Sequence, residues 1–199
     1  MIVNNAEFSV AILAAGQGRR FGYPKALMRS ENEYLLLDLL KQVKSLNPLE
    51  TIVVLGSGQN IIKPMLPSWS RVVVNQQWQR GMSGSIQLAL KSTSLKSSGV
   101  LLMTCDQILI QTDHLKRITA SLSEFNSRSA CIASSYNGTF GIPCYIGVNH
   151  FALFDTLRGD HGAKSVLGSL NPTLVPMGEA FNDVDTPEDL IAMLKKRKF

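Results

Sequence analysis

The residues best able to do chemistry lie in three stretches: the run LAAGQGRRFGYPK from Leu13 to Lys25, an aspartate at Asp106, and the pair Asp183 and Asp185. The first combines Gly16, Gly18 and Gly22 with Arg19, Arg20 and Lys25. Glycines let a loop bend tightly and expose backbone N–H groups, and the basic side chains bring positive charge to the same place. The apolar run before it, Phe8-Ser9-Val10-Ala11-Ile12-Leu13, reads as a buried strand. A strand that delivers a glycine-rich cationic loop is suited to holding a polyphosphate. The spacing Gly16-x-Gly18-x-x-x-Gly22 is one residue too long for the dinucleotide fingerprint, and no G-x-x-x-x-G-K-[ST] is present. A glycine-rich turn with solvated arginines satisfies the spacing equally well.

Asp106 follows the apolar run Gly99 to Thr104. A carboxylate at the end of a rigid strand, beside a triphosphate, is suited to magnesium, which takes one or two protein carboxylates and completes its shell with phosphates and water. Capping of the next turn is the structural alternative. Asp183 and Asp185 flank Val184 and point to one side if the stretch is extended. Asp185 also reads as a helix N-cap, and both roles are open to it.

Two further loops carry polar groups. Asn75 to Ser85 is rich in amides and hydroxyls that can read a base edge, and Gly81 and Gly84 would let a flat base approach the backbone. A polar loop with Ser83 as a helix cap is the alternative, and Trp78 reads as loop packing. Leu157 to Lys164 carries Arg158, His161 and Lys164, which can receive an anionic acceptor near a positive helix end. Asp160 as a helix cap is the alternative there. His114 and His150 read as surface positions without a role. Cys131 and Cys144 read as small core residues, while Cys105 neighbours Asp106.

Alternating apolar runs and amphipathic stretches must position these groups. Strands are expected over Ala26–Met28, Thr51–Leu55, Arg71–Val74, Gly99–Thr104, Ala130–Ser134, Gly141–Ile146 and Thr173–Pro176. Helices are expected over Tyr34–Leu46, Ser83–Lys91, Thr112–Phe125 with Thr112 as cap, His150–Leu157, Ala163–Leu170, and after Asp185-Thr186-Pro187-Glu188, with a short one ending near Pro64. Such alternation implies an α/β sandwich with a mostly parallel sheet. Ligands sit beyond the carboxyl ends of such strands, so the glycine loop and Asp106 are expected to share a crevice.

At 199 residues the chain fits one domain, residues 1–199. The net charge of +5 is scattered apart from the short block Lys195-Lys196-Arg197-Lys198, which argues against nucleic acid and suits phosphate-rich small molecules. Three cysteines without a C-x-x-C pair argue for a reducing compartment. No signal peptide and no membrane span is evident, and a cytoplasmic location is expected.

Together, LAAGQGRRFGYPK, the Asn75–Ser85 loop, Asp106-Gln107, Phe140-Gly141-Ile142-Pro143, RGDHGAK and DVDTPEDL resemble the molybdenum-cofactor cytidylyltransferase branch of the MobA-like NTP transferases. The resemblance runs from Val10 to Leu190. It implies a three-layer, Rossmann-like α/β/α fold of the nucleotide-diphospho-sugar transferase type. It also implies a magnesium-dependent transfer of CMP from CTP to a phosphorylated pterin, with release of pyrophosphate and delivery to a molybdoenzyme. On this resemblance Leu13, Ala14, Ala15, Gly16, Gly18 and Lys25 hold the nucleotide, with Arg20 and Lys25 on its phosphates. Asn75, Gly81 and Ser85 lie near the base. Asp106 and Asp185 bind magnesium, and Lys25, Arg20 and Asp106 carry catalysis. Gly159, Asp160, His161, Gly162 and Lys164 face the acceptor.

Departures from the family's usual pattern are Phe21 for methionine, Ile108 for proline or methionine, Thr104-Cys105 for small residues, and GMSGS for a run with adjacent serines. The competing functions are transfer to a sugar or polyol phosphate, and a non-catalytic accessory protein that binds the cofactor for a molybdenum hydroxylase.

Overall fold

The computed structural model describes residues 7–30, 33–178 and 182–197. Among them, seven strands form one sheet: β1 (Ser9–Ala14), β2 (Glu50–Leu55), β3 (Ser70–Val74), β4 (Gly99–Thr104), β5 (Cys131–Tyr136), β6 (Thr139–Gly147) and β7 (Thr173–Pro176). Their order is β3-β2-β1-β4-β6-β5-β7. β1 pairs parallel with β2 and β4, β2 with β3, and β5 with β7; β6 runs antiparallel to β4 and β5. The central strands β1 and β4 are continuous apolar runs because both of their faces are covered.

The α-helices among the described residues are α1 (Leu35–Lys44), α2 (Gln59–Ile62), α3 (Met82–Lys91), α4 (Thr112–Ala120), α5 (Lys164–Leu167) and α6 (Pro187–Lys196). Period-2 alternation along the strands divides the interior into two layers. Val10, Ile12, Val53, Leu55, Leu101 and Met103 share a cluster with Leu36 and Leu40 of α1 and Leu115 and Ile118 of α4. Ala11, Leu13, Ile52, Val54, Val100 and Leu102 share another with Ile86 and Leu90 of α3 and Val166 and Leu167 of α5. This is the expected α/β/α sandwich. Cys131 and Cys144 are buried in the second layer, and burial pushes the Cys131 thiol up to about 11 and the Cys144 thiol higher still.

Several local expectations need correction. Ala26–Met28 is not a strand: Lys25–Leu27 forms a 3-10 turn after Pro24, closed by Leu27 N–H to the Pro24 carbonyl at 2.9 Å. Gln111, not Thr112, is the N-cap of α4, and His114 Nδ1 accepts the Gln111 N–H at 3.0 Å. It gives way to a 3-10 segment at Ser121–Glu124. Val148–Thr156 is 3-10 rather than α-helical. Gly81, not Ser83, precedes α3, and Ser83 lies inside its first turn. The hairpin between β5 and β6 turns at Asn137 and Gly138, with φ of 45° and 72°, the left-handed pair that a tight hairpin demands.

Candidate active site

The glycine loop leaves β1 at its carboxyl end and folds back on the carbonyl of Gly18. That oxygen accepts from Phe21 N–H at 2.9 Å and from Gly22 N–H at 2.8 Å. Gly18 holds φ at +65°, and a Cβ there would overlap the Tyr23 carbonyl oxygen. The turn therefore requires glycine on two counts: conformation and space. It ends by aiming Lys25 across the mouth of β4.

There the Lys25 ammonium meets two carboxylates. Nζ lies 2.9 Å from Asp106 Oδ2 and 2.8 Å from Asp185 Oδ1. Burial alone would lower the Lys25 pKa; Asp106 and then Asp185 outweigh it and hold the pKa above the ordinary lysine value. Arg20 Nη2 reaches the outer oxygen, Asp185 Oδ2, at 2.9 Å, from a largely solvated position. Asp183 keeps an exposed flank. Desolvation by the surrounding chain, then repulsion from Asp106, pushes its carboxyl up to about 6.

The chain itself explains why Asp185 is available. Thr186 is the N-cap of α6: its Oγ1 accepts from Asp189 N–H at 3.2 Å, while Asp189 Oδ2 accepts from Thr186 N–H at 2.9 Å. This capping box relieves Asp185 of the capping role and leaves its carboxylate for the cations. Val184 N–H donates to the Asp106 carbonyl at 3.0 Å and draws the stretch onto the end of β4. Val184 is fully buried with Phe21, Met28, Leu35, Ile108 and Leu190 in a third apolar cluster. That cluster joins the three segments that carry Lys25, Asp106 and Asp185.

A cleft of about 410 Å³ opens over this group. Leu13, Ala15, Gly16, Gly18, Arg20, Lys25, Gly81, Ser85, Asp106, Asp160 and Asp185 all line it. Ala14 faces the first core layer instead. Asn75 is buried behind the wall, where its Nδ2 donates to Ser85 Oγ at 2.9 Å and its Oδ1 accepts from Gln77 N–H at 3.0 Å. It thus shapes the loop rather than facing the cleft. Trp78 lines the cleft and also packs on the second core layer.

The two remaining loops touch. Gly81 has φ +106°, and a Cβ there would collide with the Gly159 backbone and the Asp160 carboxylate. Ser83 N–H donates to the Gly159 carbonyl at 3.1 Å. Asp160 does not cap α5, whose N-cap is Ala163. His161 is exposed, and the Lys164 ammonium contacts Thr139 Oγ1 and sits 5.9 Å from the Phe140 ring centroid. Gly159, His161, Gly162 and Lys164 stand outside the cleft lining, beyond its Asp160 corner.

The model of the MobA-like NTP transferase domain matches residues 10–173. The chain belongs to the MobA-like NTP transferase family. Among MobA-like relatives, the molybdenum cofactor guanylyltransferase of Syntrophotalea carbinolica is 27% identical over 164 residues, covering 75% of this chain and 73% of that protein. The purine catabolism protein PucB of Bacillus subtilis is 28% identical over 194 residues, covering 89% of this chain and 91% of that one. Rv0371c of Mycobacterium tuberculosis shares the fold, with a TM-score of 0.83 at 23% identity over 95% of this chain and 98% of that one. A manganese complex of Rv0371c aligns with a TM-score of 0.76 at 21% identity, again over 95% and 98%.

Within this NTP transferase the departures acquire a physical reading. Phe21 and Ile108 belong to the same apolar cluster, so they are two halves of one packing solution beneath the carboxylates. Thr104 Oγ1 is buried without a hydrogen-bond partner, and Thr104 lines the cleft. Gln17, Gln79 and Met82, inside loops expected at the nucleotide but not singled out there, and Thr104, noted only as a departure, all line the cleft. Their signal was position alone: each flanks a residue already singled out.

The donor set also bears on a divalent cation. Among the described residues no group of three or more His, Cys, Asp or Glu side chains is gathered for a metal. Two carboxylates, Asp106 and Asp185, are gathered around one cation already, and Asp106 Oδ1 is buried with no partner. That arrangement fits magnesium, which needs few protein ligands when phosphates supply the rest. No helix among the described residues is long and apolar enough to cross a membrane.

Proposed function

We propose that this nucleotidyltransferase moves CMP from CTP onto the phosphate of molybdopterin or its molybdenum form, with release of pyrophosphate. The observation that carries the reading is the Lys25 ammonium set between Asp106 and Asp185 beneath the glycine loop. The choice of cytidine and pterin rests on the likeness of the motifs to the cytidylyltransferase branch. The molybdenum cofactor guanylyltransferase among the relatives supports a pterin acceptor. The 199 residues act as one domain in the cytoplasm, without nucleic acid, and pass the product to a molybdoenzyme.

The glycine loop, with Leu13, Ala15, Gly16 and Gly18, seats the triphosphate. Gly81 and Ser85, braced by Asn75, border the base. Asp160 and its neighbours Gly159, His161, Gly162 and Lys164 receive the acceptor. An oxygen of the acceptor phosphate attacks the α-phosphorus in line; a new P–O bond forms as the bond to the β-phosphate breaks, and pyrophosphate leaves with the electron pair. The nucleophile is already anionic, so no general base is needed. Lys25 and Arg20 neutralise charge that grows on the leaving group. Asp106 and Asp185 would hold magnesium, which supplies further neutralisation of the phosphates when bound. Manganese in the Rv0371c complex supports a divalent ion in this fold.

The test is pyrophosphate release from each of the four nucleoside triphosphates, with magnesium, with and without molybdopterin. Release that requires CTP and the pterin is expected. Dependence on a sugar or polyol phosphate would reassign the acceptor, and no release with any acceptor would leave a cofactor-binding accessory protein.

A further inference from the structure

We propose that the Lys25 ammonium is the resident counter-ion of the cation site: without nucleotide it sits between Asp106 and Asp185 where the divalent ion binds, and it yields to an ion that arrives with a triphosphate. The inference rests on the functional reading above and adds an order of events to it.

The geometry is specific. One ammonium contacts carboxylate oxygens from segments 81 and 160 residues away in the chain, at 2.9 and 2.8 Å. Lys25 and Asp106 keep side-chain exposures of only 18% and 19%, so these charges are weakly screened. The carboxylates cannot simply part, because the Val184 N–H bond to Asp106 and the shared apolar cluster hold their backbones together. A cation between them balances their charge, and Lys25 is that cation here.

A divalent ion that enters alone has to expel Lys25 and leave its ammonium in a half-buried cleft without an anion. Stranding a charge in this way is costly. A triphosphate on the glycine loop removes the cost, because it offers Lys25 a new anionic partner within the same cleft. Arg20 cannot play the same part. It touches only the outer oxygen of Asp185, and its side chain is 71% exposed. Ion and triphosphate thus bind as a coupled pair, and Lys25 serves first as a positioning residue for the carboxylates and then as a ligand of phosphate.

The experiment is Mn2+ binding to the full chain, read from the electron paramagnetic resonance of free Mn2+, with no nucleotide present. Wild type is compared with Lys25→Met, Lys25→Gln and Arg20→Met, each checked for folding by circular dichroism. Loss of a neighbouring cation changes a carboxylate's affinity for another cation by on the order of tenfold or more, and Lys25→Met is expected to bind Mn2+ that much more tightly than wild type. Arg20→Met is expected to change affinity far less. Mn2+ affinity that is unchanged or weaker in both Lys25 variants overturns the proposal, as does an equal gain in Arg20→Met.

Wild type supplies a check that needs no variant. Tight Mn2+ binding without nucleotide, equal to that with a non-hydrolysable CTP analogue, also overturns the proposal. Failure of the analogue to bind any of these proteins would count against the nucleotidyltransferase reading, while the nucleotide-free comparison still decides the role of Lys25.

Discussion

Two alanine substitutions in the glycine loop separate folding from ligand binding. At Gly18 a side chain meets two penalties. The left-handed backbone costs a non-glycine residue about 1–2 kcal/mol, and overlap with the Tyr23 carbonyl adds about 1–3 kcal/mol because backbone cannot rotate away. Gly18→Ala is therefore expected to lose roughly 2–5 kcal/mol of stability, either globally or by release of the loop. At Gly16 no atom lies within 4 Å of the added Cβ, and the residue faces the cleft. Gly16→Ala should leave stability within about 0.5 kcal/mol of wild type. If the space is the phosphate seat, the methyl costs about 1–3 kcal/mol of overpacking, or roughly five- to 150-fold in nucleotide affinity. Urea unfolding followed by circular dichroism measures the first quantity, and calorimetric titration with CTP and magnesium the second. Wild-type CTP affinity in Gly16→Ala would refute the placement of the triphosphate. Wild-type stability with an intact loop in Gly18→Ala would refute the loop conformation.

Asp106→Ala should abolish pyrophosphate release while circular dichroism shows a folded protein; near-normal turnover at ordinary magnesium would sink the site. Thr186→Ala removes the cap of α6 and should cost about 1 kcal/mol in urea unfolding, with turnover reduced far less than in Asp106→Ala. Asp183 supplies a pH signature. Its carboxyl is raised from the ordinary 3.8 to about 6, so the folded chain binds this proton more tightly than the unfolded chain does. Its contribution to folding therefore declines as pH rises between those values and stays low above them. Asp183→Asn is expected to exceed wild type in stability at neutral pH and to converge with it near pH 4, as urea midpoints across that range would reveal.

The sheet was legible where burial on both faces leaves an unbroken apolar run, as in Val10–Leu13, Thr51–Leu55 and Gly99–Thr104. The site was legible where a charged residue follows such a run, as Asp106 does. Local endings were harder to read. Ala26-Leu27-Met28 is apolar enough for a strand, but Pro24 starts a turn that three residues complete. Asp185 and Thr186 both have cap-forming side chains, and each has an acid three residues on, Glu188 or Asp189, so spacing does not choose between them; the hydrogen bonds place the cap at Thr186. Asn75 looked like a base reader because an amide serves equally well as a brace, and only its burial against Ser85 decides. The meeting of Gly81 with Gly159 lay beyond reach, since nothing local in either loop encodes the other.

The bond from Val184 to Asp106 also sets a calendar for the molecule. Translation delivers Lys25 first, then Asp106 81 positions later, and Asp185 160 positions after Lys25. Contacts across such separations form late, because loop closure must precede them. A growing chain can thus bend its glycine loop and lay down β4 while one wall of the cleft is still missing. On the proposed site, competence to transfer would await the segment that buries Val184, because Asp185 comes with it.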